Sequence, residues 1–167
     1  MSTAHVEVVR MEPAPTLVVP AETTWPEFPS LWRPLLDQVW ARLRAAGITS
    51  GCPNVMLYLD DVPHVEVGVI SDRASVAGEG VVTSQLPGGR IATTTHTGSY
   101  AGLGLAHDAV ARRIAENSER AAGPRWEIYG PHDDDPAKVW VQVSYLLLDD
   151  DSSTGGAHDG RGIRQNG

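Results

Sequence analysis

Glu127 stands in GPRWEIYG (123–130), a short run in which Trp126, Ile128 and Tyr129 otherwise spell an apolar strand between turn-forming residues. A charge buried without a partner is too costly to be casual, so that face meets either water or something positive. A carboxylate among aromatic rings can orient a cation. With its pKa raised by such surroundings it can instead align a water molecule as a general base. Tyr129, two residues on, shares its side of the strand. Tyr58, Met56 and Glu66 in NVMLYLDDVPHVEVGVIS (54–71), and Trp140 and Gln142 in VWVQVSYLLL (139–148), are the further candidates for this chemistry.

The elements that must hold these residues are legible from periodicity. LWRPLLDQVWARLRAA (31–46) places Leu31, Leu35, Leu36, Val39 and Leu43 at helical intervals, with Ser30 as N-cap and Gly47 as stop. Two short alternating runs follow, divided by an Asp-Asp-Val-Pro turn, which is a hairpin signature. A displacement of 71 residues aligns the second half with the first: Asp37 meets Asp108, Val39 meets Val110, Arg42 meets Arg113, Pro53 meets Pro124 and Tyr58 meets Tyr129. A repeat accounts for this. Candidate strands APTLVVPA and GGRIATTTH precede the two helices. The predicted fold is therefore α+β: two β-α-β-β modules, about 5–72 and 78–148, related by a pseudo-two-fold axis around a central ligand cleft.

Strand alternation predicts which side chains share a face. Val55, Leu57, Leu59, Val65, Val67 and Val69, with Trp126, Ile128, Val139, Val141 and Val143, are expected beneath the helices. Met56, Tyr58, Asp60, Glu66, Glu127, Tyr129, Trp140, Gln142 and Ser144 are expected on the uncovered face, Met56 opposing Glu127, Tyr58 opposing Tyr129 and Glu66 opposing Gln142. In a structural alternative, Glu127 pairs with an arginine such as Arg90. Trp25, Phe28 and Trp32 cap the core or serve as a lid over the cleft.

The chain has 167 residues, 41% of them hydrophobic, which suffices for one domain with a proper core. It has no run of about 18 apolar residues and no signal-peptide organisation at its start, so the expected location is cytoplasmic with no membrane partner. Thirteen Lys and Arg against 21 Asp and Glu give a net charge of −8, which repels nucleic acid and suits a cationic partner. Residues 149–167 have the composition of a disordered, solvated tail.

Other apparent motifs read as structure. Cys52 is the only cysteine, which excludes an intrachain disulfide and a thiolate metal cage. HDDD (132–135) reads as an acidic turn, not a metal site, because its ligands are consecutive. In HTGSY (96–100), Gly98 supplies a turn and Ser99 a cap, with no nucleophile elbow around the serine. Gly102 and Gly104 lack the lysine of a phosphate-binding loop. Neither metal nor cofactor is expected.

In order and spacing, HTGSY (96–100), GPRWEIY (123–129), DDDP (133–136) and VWVQVSYLL (139–147) resemble the GyrI-like small-molecule-binding family, whose fold also serves as the effector-binding domain of multidrug-sensing regulators. The resemblance covers roughly 5–148. It implies two β-α-β-β modules around a cleft in which the Glu matching Glu127 attracts aromatic cations. The family's last strand often carries Thr-Glu-Ile where this chain has Val141, Gln142 and Val143, so one cleft carboxylate is missing and Glu66 is the candidate to replace it. The pattern begins within the first ten residues, so a stand-alone form is expected, without a DNA-binding segment.

The function these residues and the resemblance imply is binding of hydrophobic, planar molecules, cations among them, by Glu127, Tyr129, Tyr58, Met56, Glu66, Trp140 and Gln142. The alternative is a hydrolase that opens the cyclopropane ring of DNA-alkylating natural products, with Glu127 aligning water and Tyr129 polarising the ligand carbonyl. A protein partner such as gyrase, met through an acidic surface, is the remaining expectation.

Overall fold

A computed structural model describes residues 5–149; apart from Asp149, the expected tail lies outside the described residues. Eight strands form one antiparallel sheet: β1 (Glu7–Met11), β2 (Ala14–Glu22), β3 (Asn54–Tyr58), β4 (His64–Ile70), β5 (Val82–Leu86), β6 (Gly89–Thr97), β7 (Ala121–Tyr129) and β8 (Trp140–Leu147). Their spatial order is β1-β6-β8-β7-β3-β4-β2-β5. Two helices, α1 (Phe28–Ala45) and α2 (Leu103–Glu116), pack on β2 and β4 and on β6 and β8 respectively. No helix of the described residues is long and apolar enough to cross a membrane.

Helix α1 buries Phe28, Leu35, Val39 and Leu43, one stripe at intervals of seven, four and four. It begins three residues before the expected start. Ser30 lies inside it, and the Thr24 carbonyl accepts from the N–H of Phe28 at 2.9 Å instead. Pro29 suits the first turn, where no backbone donor is lost. Gly47 ends the helix with φ at 84°, a conformation glycine enters without steric cost. Helix α2 buries Ala106, Val110 and Ile114. Ser99 does cap, its hydroxyl accepting from the N–H of Ala101 at 3.1 Å in the turn before α2.

Residue partners across the sheet fix the faces, and they correct the expected ones. Val67, Met56, Glu127 and Val143 stand in one row across β4, β3, β7 and β8. The rows beside it run Val65, Tyr58, Arg125, Tyr145 and Val69, Asn54, Tyr129, Val141. These rows carry the helices: Met56 and Tyr58 join Val65, Val67, Val69 and the α1 stripe in one core, while Val141 and Val143 join the α2 stripe in another. The opposite face carries Val55, Leu57 and Trp126, clustered with Leu86 and Ile91. Within each hairpin one strand keeps its expected face, β4 with Val65, Val67 and Val69 and β8 with Val141 and Val143, while β3 and β7 are turned over, because a one-residue slip between paired strands exchanges every side chain of one of them between faces.

The slip arose because both faces are apolar. Connector 87–88 joins β5, at one edge, to β6 near the other, a span that three Cα–Cα steps limit to about 11 Å. The sheet must therefore curl. Gly88 lies so close to Pro13 in the matching β1–β2 connector that an added Cβ would collide with its ring. Trp126, 2% exposed, fills the hollow of the curled face. A helix-free face thus looks in sequence like a helix-covered one.

Candidate functional site

Because α1 sits over β4 and β2 and α2 over β8 and β6, the central strands β3 and β7 form the floor between two helices. Glu127 stands on that floor, 5% exposed. Its Oε1 accepts from the hydroxyls of Tyr58 at 2.8 Å and Tyr129 at 2.7 Å. Its Oε2 lies 2.6 Å from His107 Nε2, and His107 Nδ1 lies 2.8 Å from the Tyr145 hydroxyl. A carboxylate only accepts, so Nε2 carries a proton toward Glu127. The Met56 sulfur lies 3.9 Å from both the Tyr58 and Tyr129 hydroxyls.

Burial alone raises the Glu127 carboxyl, but the hydrogen bonds from His107 and Tyr129, the nearby imidazole charge and the Tyr58 bond outweigh it, and the net shift is downward. The same network pushes both phenols up: burial first, then the Glu127 charge, disfavours tyrosinate at Tyr58 and Tyr129. Tyr145 is also raised, chiefly by burial. At neutral pH the floor is one carboxylate held by neutral phenols.

Aromatic rings wall this floor. Trp25 and Phe28 each stand 5.5 Å from the Tyr58 ring between centroids, and Tyr100 stands 6.0 Å from Tyr129. Arg125, beside Tyr58 in the row, places its guanidinium 5.2 Å from the Trp25 ring and 5.9 Å from the Tyr145 ring, and bonds Asp61 at 3.1 Å. Trp25 is 40% exposed and stands at the mouth.

Of the seven expected ligand residues, Glu127, Tyr129, Tyr58 and Met56 converge. Glu66 and Gln142 do not, because the register puts them in rows with Leu57 and Ile128 on the curled face. Glu66 instead accepts from the Ser84 hydroxyl at 2.7 Å and adds no second carboxylate to the cleft. Trp140 shares the curled face with Gln142, and at the end of the sheet it also lines a groove with Tyr129. Met56 does stand opposite Glu127, but Tyr58 stands opposite Arg125, not Tyr129. Arg90 is not the partner of Glu127. It forms a two-pronged ion pair with Glu119, whose carboxyl is lowered mainly by that bond.

His107, the residue sequence reasoning missed, had a signal. Leu103, His107, Val110 and Ile114 follow the spacing of the buried stripe of α2, so His107 is a polar residue at an inward position. In HDDD, Asp133 and Asp135 accept from backbone N–H groups at 2.8 and 3.0 Å, as turn carboxylates do.

The family model for the GyrI-like small molecule binding domain matches residues 4–144, and the chain belongs to that family. Among solved structures, the C-terminal domain of EcmrR is similar at 15% identity with a TM-score of 0.70, covering 87% of this chain and 98% of that one. A hydrolase from Listeria innocua is similar at 11% identity with a TM-score of 0.57, covering 89% of this chain and 94% of that one. SAV2435, solved bound to tetraphenylphosphonium, is similar at 9% identity with a TM-score of 0.61, covering 86% of this chain and 94% of that one. At such identities these likenesses concern the fold. No curated protein matches the chain.

Proposed function

We propose that this chain binds planar hydrophobic molecules, with preference for cations, on the floor between its two helices. The observation that carries this reading is Glu127: a buried carboxylate kept ionised by three hydrogen-bond donors and ringed by Trp25, Tyr58, Tyr100 and Tyr129. A negative charge under aromatic faces attracts a delocalised cation through charge and ring quadrupole together. Trp25, half-exposed at the mouth, acts as the lid. We also read the stretches 5–72 and 78–148 as repeated modules around this cleft. The strand order supports that reading, since β7, β8, β6, β1 and β3, β4, β2, β5 run outward from the centre in matching sequence.

The discriminating experiment is calorimetry with N-methylacridinium and acridine at pH 8, two ligands of nearly equal shape, one charged and one neutral. The cation should bind about tenfold more tightly, or roughly 1.4 kcal/mol. Equal affinities would remove the electrostatic part of the proposal.

A second reading is hydrolysis of a strained cyclopropane ring. It is favoured by one observation, the two phenols that meet a single carboxylate oxygen. Glu127 would take a proton from water as the water oxygen bonds a ring carbon, the broken C–C pair would pass into a conjugated carbonyl, and a phenol would protonate its oxygen. Against this, the lowered pKa makes Glu127 a weak base and its oxygens are already engaged. Ring-opened product from a cyclopropane-bearing alkylator in the presence of the protein, absent with Glu127→Gln, would reverse the preference.

A further inference from the structure

At the end of the floor remote from Trp25, beyond Tyr129, a groove of about 520 Å³ opens between the C-terminal end of α1 and the β7–β8 turn. That volume falls within the usual range for small-molecule pockets. Trp40, Tyr129 and Trp140 supply three aromatic walls, and Cys52, Asn54 and His132 complete the part that matters here. We infer that this groove is a second ligand site, for a neutral planar aromatic group bearing a carbonyl or ring-nitrogen acceptor. The inference rests on the proposed binding function and adds a chemically different seat to it.

Two features give the groove built geometry. The indole of Trp140 lies against Gly130 so closely that any Cβ there would collide with its five- and six-membered rings, so the ring is seated on bare backbone. On the other side, the Trp40 indole N–H donates to Asn54 Oδ1 at 2.8 Å. Tryptophan can only donate, which fixes the orientation of the Asn54 amide and leaves its NH2 as the group it can offer a ligand. A planar acceptor in the groove would gain aromatic contact from its tryptophan and tyrosine walls and a hydrogen bond from Asn54 at its edge. Tyr129 is the shared wall: its ring lines the groove while its hydroxyl is committed to Glu127.

Cys52 makes the inference measurable, because it is the chain's single cysteine and partly exposed at the groove wall. With coumarin as the probe, a flat neutral bicycle with a lactone carbonyl, the rate of Cys52 modification by Ellman's reagent should fall at least fivefold at saturation. Calorimetry should show coumarin affinity reduced tenfold or more by Trp140→Ala. Because that variant can fail to fold, Ser50→Trp, at an exposed position of the 49–53 wall, provides an independent block by filling the groove; coumarin binding should be lost there with the melting temperature retained. Glu127→Gln should leave coumarin affinity within twofold. No coumarin binding, an unchanged Cys52 rate at saturation, or loss of coumarin binding in Glu127→Gln but not in Ser50→Trp would each overturn the inference. N-methylacridinium run in parallel separates the two sites: failure of the cation with coumarin retained counts against the Glu127 reading alone.

Discussion

His107 Nε2 stands 2.6 Å from Glu127 Oε2, and this contact links α2 to the central strand β7 across the candidate cleft. The negative charge that would attract a ligand is therefore also what holds one helix to the floor. Each role can be perturbed separately.

Glu127→Gln keeps the shape and removes the charge. The amide oxygen still accepts from Tyr58 and Tyr129, and the amide N–H can donate to a neutral His107 that has moved its proton to Nδ1. What is lost is charge-assisted bonding, about 1 to 2 kcal/mol of stability at pH 7. Urea unfolding should show this loss, and calorimetry a weaker N-methylacridinium complex. Unchanged cation affinity despite lost stability would make Glu127 a structural residue only.

The pH dependence follows from the direction of the Glu127 shift. Its folded-state pKa lies below the ordinary 4.5, so its contribution is fully present above 4.5 and is lost as pH falls through the lower folded value. The stability gap between wild type and Glu127→Gln should be constant from pH 7 to about 5 and close below 4.5. The Arg90–Glu119 pair, also shifted down, is present in both proteins and cancels. A gap that stays open at pH 3 would contradict the assignment.

His107→Gln retains a donor for Glu127 but loses the ring that also meets the Tyr145 hydroxyl. Because the imidazole ties Glu127 to Tyr145, its loss leaves the carboxylate less firmly placed, and affinity for N-methylacridinium at pH 8 should be weaker in the variant than in wild type. Stability should fall by about 1 to 3 kcal/mol from the altered buried bond to a charged group. Unchanged cation affinity despite lost stability would make His107 a structural residue only.

How much of this was legible in the sequence depended on the distance between the residues concerned. Helices, hairpins and the stop at Gly47 are set by neighbours within a few positions, and they appeared where periodicity placed them. Glu127 stood out because a lone carboxylate contradicted its strand. The sharing of faces depended on hairpin register, and alternation cannot choose between faces when Val55, Leu57 and Trp126 are as apolar as Val65, Val67 and Val69. Two edge strands, β1 and β5, went unread because EVVRM and VTSQL are short and mixed in polarity. His107 was missed because its partner lies on another element, although its place on the α2 stripe was visible.

Gly68→Ala tests the close approach of β2 to β4 on the curled face. Gly68 pairs with Val18 and Val55 in the centre of the β2–β4–β3 ribbon, where an added Cβ would strike the Leu17 carbonyl oxygen and approach Val18 Cα to 2.7 Å. Both atoms are backbone and cannot rotate away, so β2 must separate from β4. The expected loss is about 3 kcal/mol or more, read as a fall in thermal midpoint or failure to obtain folded protein. A loss below about 1 kcal/mol would show that β2 yields more easily than its pairing suggests.

The crossed edges of the sheet bear on how the chain folds. β1 precedes β2 in the chain yet bonds β6, with Glu7 opposite Thr93, and β5 precedes β6 yet bonds β2, with Ala14 opposite Leu86. Each half of the polypeptide thus lends the other its outermost strand. In chain order the first half's borrowed strand, β5, follows that half's core, and its lent strand, β1, precedes its partner β6 by about 80 residues. Closing contacts so far apart in the chain is entropically slow. Cleavage in the 74–81 connector is accordingly expected to leave two pieces joined by the exchanged strands β1 and β5, and not two separate units.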